Sequence, residues 1–384
     1  MVDVLRGRVV VPGGVLEEGI VAFGDEGIIW VGPVGDLPDD ARWPVAQRIG
    51  TTLLPGLVDL HCHGAAGHSF PDGDATDSRA AASHHLAQGT TGLLASLVTA
   101  DEAGLVRALG ACADLADDGT LLGIHLEGPF IAPTRCGAQD PTFMRVPDLD
   151  LLDRLLDAGR GHVRTMTYAA ELPGADGLVD RLNTRGVVAS LGHTDADAAT
   201  AASSLARAGR ASVTHLFNAM RPLHHRDPGA VVACLTAAAR GDAVVELVAD
   251  GVHLADETVA MVFDLVGAAS VALVTDAMAA AGMPDGRYRL GSASVDVTGG
   301  VAMLPGSGAL AGGTSSLVDV VRRCVGAGVA LDAAVEAASA TPARLLGLDG
   351  ERGSLVAGLR ADVLATDDDL VPAAVWNAGS RVAG

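Results

Sequence analysis

A chain of 384 residues that is 49% hydrophobic can bury a substantial core, and its length suits one large barrel with a small accessory unit. Its 47 acidic and 26 basic residues leave a formal net charge of -21, which excludes nucleic acid and anionic membranes as partners. The chain contains no lysine, so Schiff-base catalysis, a P-loop and a lysine carbamate bridging two metals are excluded too.

In chain order, Gly7–Val11, Gly19–Phe23 and Gly27–Gly32 read as short strands separated by Pro-Gly-Gly and Asp-Glu-Gly turns. Eight apolar, strand-like runs follow: Leu53–His63, Thr91–Thr99, Leu121–Phe130, Val163–Ala170, Val187–Thr194, Val213–Met220, Ala243–His253 and Val271–Ala277. Helical stretches lie between them, as at Asp101–Asp117, Asp195–Gly209 and Asp256–Val266. Strand character returns over Gly353–Leu370 and Ala374–Val382. This alternation predicts an α/β fold, a (β/α)8 TIM-type barrel over residues 52–351. A small β domain is expected from both chain termini, residues 1–51 and 352–384. A doubly wound open sheet is the alternative that the pattern leaves.

The opening MVDVLRGRVVVPGG has no apolar core of the kind a signal peptide needs, and no run is long enough to span a bilayer. The five cysteines (Cys62, Cys112, Cys136, Cys234 and Cys324) are odd in number, scattered and without a CxxC pair. That usage predicts reduced thiols in a cytoplasmic protein.

The chemistry gathers where the strands end. His61 and His63 close the first run, Glu127 falls in the third and His193 in the fifth. His215 lies in the sixth, His253 ends the seventh, and Asp276 is near the end of the eighth. In a barrel these ends converge on one mouth. Residues two apart on a strand share a face, so His61 and His63 make a partial metal site, with an exposed or capping pair as the other reading of the HxH alone.

LLPGLVDLHCHG at the first run resembles the opening strand of the amidohydrolase superfamily. HLEGPF at 125–130, SLGHTDA at 190–196, THLFNAM at 214–220, ADGVHL at 249–254 and VTDAMAA at 274–280 together resemble N-acetylglucosamine-6-phosphate deacetylases. GSLVAGLRADVLATD at 353–367 resembles the return into the superfamily's β domain. The resemblance implies metal-dependent hydrolysis of the N-acetyl amide of a phosphosugar. It implies one or two divalent transition ions, zinc or iron, held by Glu127, His193 and His215, with His61, His63 and a bridging Glu127 holding the second. Asp276 would be a metal ligand and also the general base that takes a proton from the attacking water and passes it to the leaving amine. Arg226 would bind the substrate phosphate from the neighbouring subunit of a homodimer, helped by the backbone at Asn218 and Ala219, and His253 would contact the sugar. No role follows for His224 and His225. One position departs from the pattern: the family's GAHxP or GTHxP loop here reads GAQDP, with Gln139 in place of histidine. Glutamine donates a hydrogen bond but carries no proton to the reaction. Gln139 therefore leaves open a different N-acyl amino sugar as substrate, or a sugar-phosphate-binding relative with impaired turnover.

Overall fold

The computed structural model describes residues 2–38 and 43–384; residues 1 and 39–42 of the expected terminal unit lie outside the described residues. Eight strands form one sheet in sequence order: β1 (Leu57–Cys62), β2 (Thr90–Val98), β3 (Gly123–Glu127), β4 (Val163–Tyr168), β5 (Val188–Leu191), β6 (Ala211–Val213), β7 (Ala243–Leu247) and β8 (Val271–Leu273). Every neighbouring pair is parallel. The two ends of the sheet meet beyond β8, where the Asp276 N–H donates to the His61 carbonyl at 2.8 Å and the His63 N–H to the Ala277 carbonyl at 2.7 Å. The sheet is thus the expected barrel and not the open alternative, and its closing bonds set Asp276 beside the two histidines.

The helices cover the outer face for reasons visible in their sequences. Asp101 caps the helix Glu102–Asp117 by accepting from the Gly104 N–H, and Leu105, Ala108, Leu109 and Cys112 form its buried stripe. Asp197 caps Ala198–Ala208 by accepting from the Thr200 N–H. Among the described residues, no helix is long and apolar enough to cross a membrane.

Strands from both chain ends form a separate seven-stranded sheet, in the order Ser380–Ala383, Pro372–Asn377, Val363–Thr366, Thr52–Pro55, Asp3–Val11, Gly14–Gly24 and Gly27–Pro33. Phe23 and Trp376, one from each end of the chain, meet edge to face in its core with ring centroids 5.7 Å apart.

Three local expectations are corrected. The first apolar run is two strands, because the chain leaves the terminal sheet at Pro55 and enters the barrel at Leu57. Between them a side chain at Gly56 would meet Thr91 Oγ1 at 2.2 Å, so only glycine passes. The sixth run is a strand only to Val213; the ladder then breaks because His215, Phe217 and Ala219 all have positive φ. A three-stranded antiparallel sheet, Gly286–Leu290, Ala293–Thr298 and Val301–Met303, was not anticipated. Its Leu290, Val295 and Val297 pack with Val98 and Met278, which brings it against the C-terminal ends of the barrel strands.

Candidate active site

At the mouth of the barrel the predicted ligands come together. His61, His63 and Glu127 form one buried group able to hold a cation, and Glu127, His193 and His215 form another. Glu127, at the end of β3, belongs to both. Its Oε1 lies 2.9 Å from His193 Nε2 and 3.0 Å from His215 Nε2, while its Oε2 lies 3.3 Å from His63 Nε2. Asp276 Oδ1 is 3.1 Å from His63 Nε2 and 3.5 Å from His61 Nε2. His193, His215 and Asp276 have φ of 47°, 27° and 47°. The chain turns sharply at these strand ends, and strained backbone of this kind concentrates at functional sites.

The hydrogen bonds decide which ring nitrogens face inward. His61 Nδ1 donates to Glu246 Oε2 at 3.1 Å, His63 Nδ1 to the Ser96 carbonyl at 3.1 Å, and His193 Nδ1 to the Arg135 carbonyl at 2.7 Å. Each of these partners only accepts, so in a neutral ring the Nε2 carries a lone pair. The lone pairs of His61 and His63 point at one another across 3.1 Å, and the His193 Nε2 lies 3.1 Å from the Nε2 of His215, whose own Nδ1 has no partner. Such pairs repel unless positive charge lies between them. Burial works against protonating His63, yet the Asp276 and Glu127 carboxylates outweigh it and raise its pKa to about 9. They also hold that of His61 well above its usual range, again against burial. Two nitrogens with an oxygen on each side suit a divalent transition ion, and the donor set fits the metal that the sequence implies.

These groups open on a cavity of about 260 Å³, also lined by Gln139, Asn218, Ala219, His253 and Leu290. His253 is fixed by Asp250, whose Oδ2 accepts from Nδ1 at 2.9 Å. The Asn218 backbone N–H donates to the His215 carbonyl at 2.9 Å, and its side-chain Nδ2 donates to the His215 and Leu216 carbonyls at 3.3 and 3.4 Å. Gln139 is 8% exposed; its Oε1 accepts from the Thr99 N–H at 2.8 Å, while its Nε2 is buried without a partner. Arg226 is exposed, bonded to His225 at 2.8 Å, and does not line the cavity of its own chain.

Sequence reasoning missed four buried polar residues beneath the ligands. Glu246 on β7 accepts from His61. Asp59 on β1 accepts from Thr275 Oγ1 at 2.6 Å, and burial raises its pKa to about 6. Ser96 Oγ and Thr167 Oγ1 hold His125 at 2.9 and 2.7 Å, in surroundings where burial keeps that ring neutral. Alternation held the signal: Asp59, His61 and His63 share one face of a strand. A carboxylate inside the apolar run AVVELV was a second signal.

A (β/α)8 barrel whose strand ends gather histidines and carboxylates into two cation-sized groups defines a metal-dependent hydrolase. The amidohydrolase family matches residues 52–382. The chain is 34% identical to an N-acetylglucosamine-6-phosphate deacetylase of Bacillus subtilis (strain 168) over 332 residues, covering 83% of this chain and 81% of that one. It is 37% identical to an N-acetylgalactosamine-6-phosphate deacetylase of Escherichia coli O157:H7 over 343 residues, covering 87% and 89%. A mutant N-acetyl-D-glucosamine-6-phosphate deacetylase of Mycobacterium smegmatis, in complex with N-acetyl-D-glucosamine-6-phosphate, superposes with a TM-score of 0.93 and 38% identity over 100% of both chains. The chain belongs to the amidohydrolase family and, within it, to the N-acetylglucosamine-6-phosphate deacetylases.

Proposed function

We propose that this enzyme hydrolyses the N-acetyl amide of N-acetylglucosamine 6-phosphate, giving acetate and glucosamine 6-phosphate. The observation that carries this reading is the adjacency, in one cavity, of two cation-binding groups and the Asp276 carboxylate. A divalent ion held by His61, His63 and Glu127 or by Glu127, His193 and His215 would supply Lewis acidity, polarising an amide carbonyl and lowering the pKa of water to about 7 in favourable sites. Asp276 is the base. Burial opposes its charge, but His61 and His63 outweigh this and hold its carboxyl well below the usual range. It takes a proton from the water that attacks the carbonyl carbon, and gives it to the nitrogen as the C–N bond breaks. Gln139 Nε2, an unpartnered donor, is assigned to the amide or sugar oxygen, and His253 to the sugar hydroxyls. Asn218 and Ala219 line the phosphate end.

Zinc or iron is the proposed ion, two per chain, since both His61 and His63 are present. Phosphate recognition is assigned to Arg226 of a second copy in a homodimer, because the described residues lining the cavity include no arginine. The five cysteines are free thiols, which supports a cytoplasmic location.

A second reading, the galacto epimer of the substrate, is favoured by the 37% identity to the E. coli enzyme. Acetate release from the two phosphorylated epimers and from unphosphorylated N-acetylglucosamine separates these readings. The glucosamine phosphate should have the highest kcat/KM. A higher value for the galacto epimer makes the second reading correct. Release from none of them by metal-loaded protein points to a binding relative.

A further inference from the structure

Glu246 stands in the middle of a barrel strand, in AVVEL, and is 1% exposed. Taking a carboxylate out of water costs several kcal/mol unless its oxygens are well partnered. One oxygen, Oε2, accepts from His61 Nδ1 at 3.1 Å and from the His215 backbone N–H at 3.2 Å. His63 and His193 give their Nδ1 protons to backbone carbonyls, and His61 gives its proton to a carboxylate. A carboxylate behind an imidazole fixes the tautomer and makes the inward nitrogen a stronger ligand. The same oxygen grips the peptide of His215, whose φ is 27° and whose ring stacks on His61 at 5.3 Å between centroids.

We propose that Glu246 is a positioning residue that sets the cation affinity of the His61–His63–Glu127 group, and so determines whether the chain carries one ion or two. The inference rests on the two-ion reading above. It assigns Glu246 no contact with substrate. Removing its charge weakens the hold on the His61 proton and lets that ring change tautomer or rotate away from His63, while a glutamine oxygen still accepts from the His215 N–H and His193 and His215 keep their own Glu127 contacts.

The test is a zinc titration of the metal-free chain against a chelator of known affinity, with melting of the metal-free protein as the control for folding. The parent should take up two ions. Glu246→Gln should weaken one of them about 10- to 100-fold, the usual effect of losing such an outer partner, and leave the other within about threefold. Glu246→Asp keeps the charge but is one methylene too short to reach His61; it should weaken the ion of the first group more than the other, and it guards against a glutamine variant that fails to fold. In a His63→Ala background, where the first group is broken, adding Glu246→Gln should leave the remaining ion's affinity unchanged. Unaltered binding of both ions in Glu246→Gln, or equal weakening of both, overturns the proposal. So does a further loss in the His63→Ala background. A parent chain that binds a single ion overturns the two-ion reading itself, and this inference with it.

Discussion

Replacing Gln139 by methionine tests whether the residue that departs from the family pattern takes part in the chemistry. The side chain has two ends in different surroundings. Oε1 is tied to the Thr99 N–H at 2.8 Å, and this bond turns the Nε2 group away as a buried donor with no partner. Methionine has a similar length and fills the same space, but it neither donates nor accepts well. Two losses follow, and they are read by different assays. The orphaned Thr99 amide should lower folding stability by about 1–3 kcal/mol, visible in denaturant unfolding. If Nε2 meets the oxygen that becomes charged in the reaction, its removal should lower kcat by about 10²–10³. Steady-state acetate release from the phosphorylated substrate measures this second loss. Gln139→His restores a donor and should recover kcat to within about tenfold of the parent, by the same comparison with single-donor deletions. A methionine variant that is less stable but turns over within about threefold of the parent would refute the assignment, leaving Gln139 as a tie to Thr99 alone.

Asp276→Asn should retain its ions, measured by metal content, and lose about 10²–10⁴ in turnover; near-normal turnover would remove Asp276 from proton transfer. Arg226→Ala should raise KM for the phosphorylated sugar about tenfold or more, the cost of one charge-assisted contact, and leave the unphosphorylated sugar unaffected. Equal effects on the two sugars would mean that the phosphate lies elsewhere. His85 gives a pH prediction. It is buried beside Cys62 Sγ at 3.0 Å, and burial lowers its pKa from 6.5 to about 4. Between these values the unfolded chain binds a proton that the folded chain does not. Stability is therefore full above about pH 6.5 and is lost as the pH falls toward 4, by up to about 3 kcal/mol. His85→Gln should flatten this part of the stability curve, and parallel curves for variant and parent would count against it.

Much of this was legible because strand periodicity and barrel geometry act together. HCH on one strand puts two imidazoles on one face, and the barrel places them opposite residues more than 60 positions away without further information. The break at Gly56 was not legible. The run LLPGLVDL is apolar on both sides of it, and what divides it is Thr91, a contact across the fold. The turn after Val213 was hidden for a related reason. THLFNAM continues the apolar run like a strand, but its positive φ values at His215, Phe217 and Ala219 break the ladder. Glu246 and Asp59 were visible as charges in apolar strands, but their partners, His61 for the first and Thr275 beyond β8 for the second, are set by the closure of the barrel and not by local sequence.

The charge balance adds a constraint that neither the motifs nor the geometry states alone. The chain is acidic overall, and its cavity presents Glu127 and Asp276 with no arginine among the described lining residues. A phosphosugar approaching that cavity meets a repulsive field, strengthened by the low dielectric of its walls. Two sources of positive charge can reverse it. In the proposed assignment, cations between the histidines would neutralise the carboxylates at the amide end, and an arginine from another copy, such as Arg226 on its exposed loop, would serve the phosphate end. The first source makes substrate affinity depend on metal loading, and the second makes it depend on assembly. On the proposed reading, the enzyme would bind its substrate well only when it is both loaded and assembled, although the residues assigned to the amide all belong to a single chain.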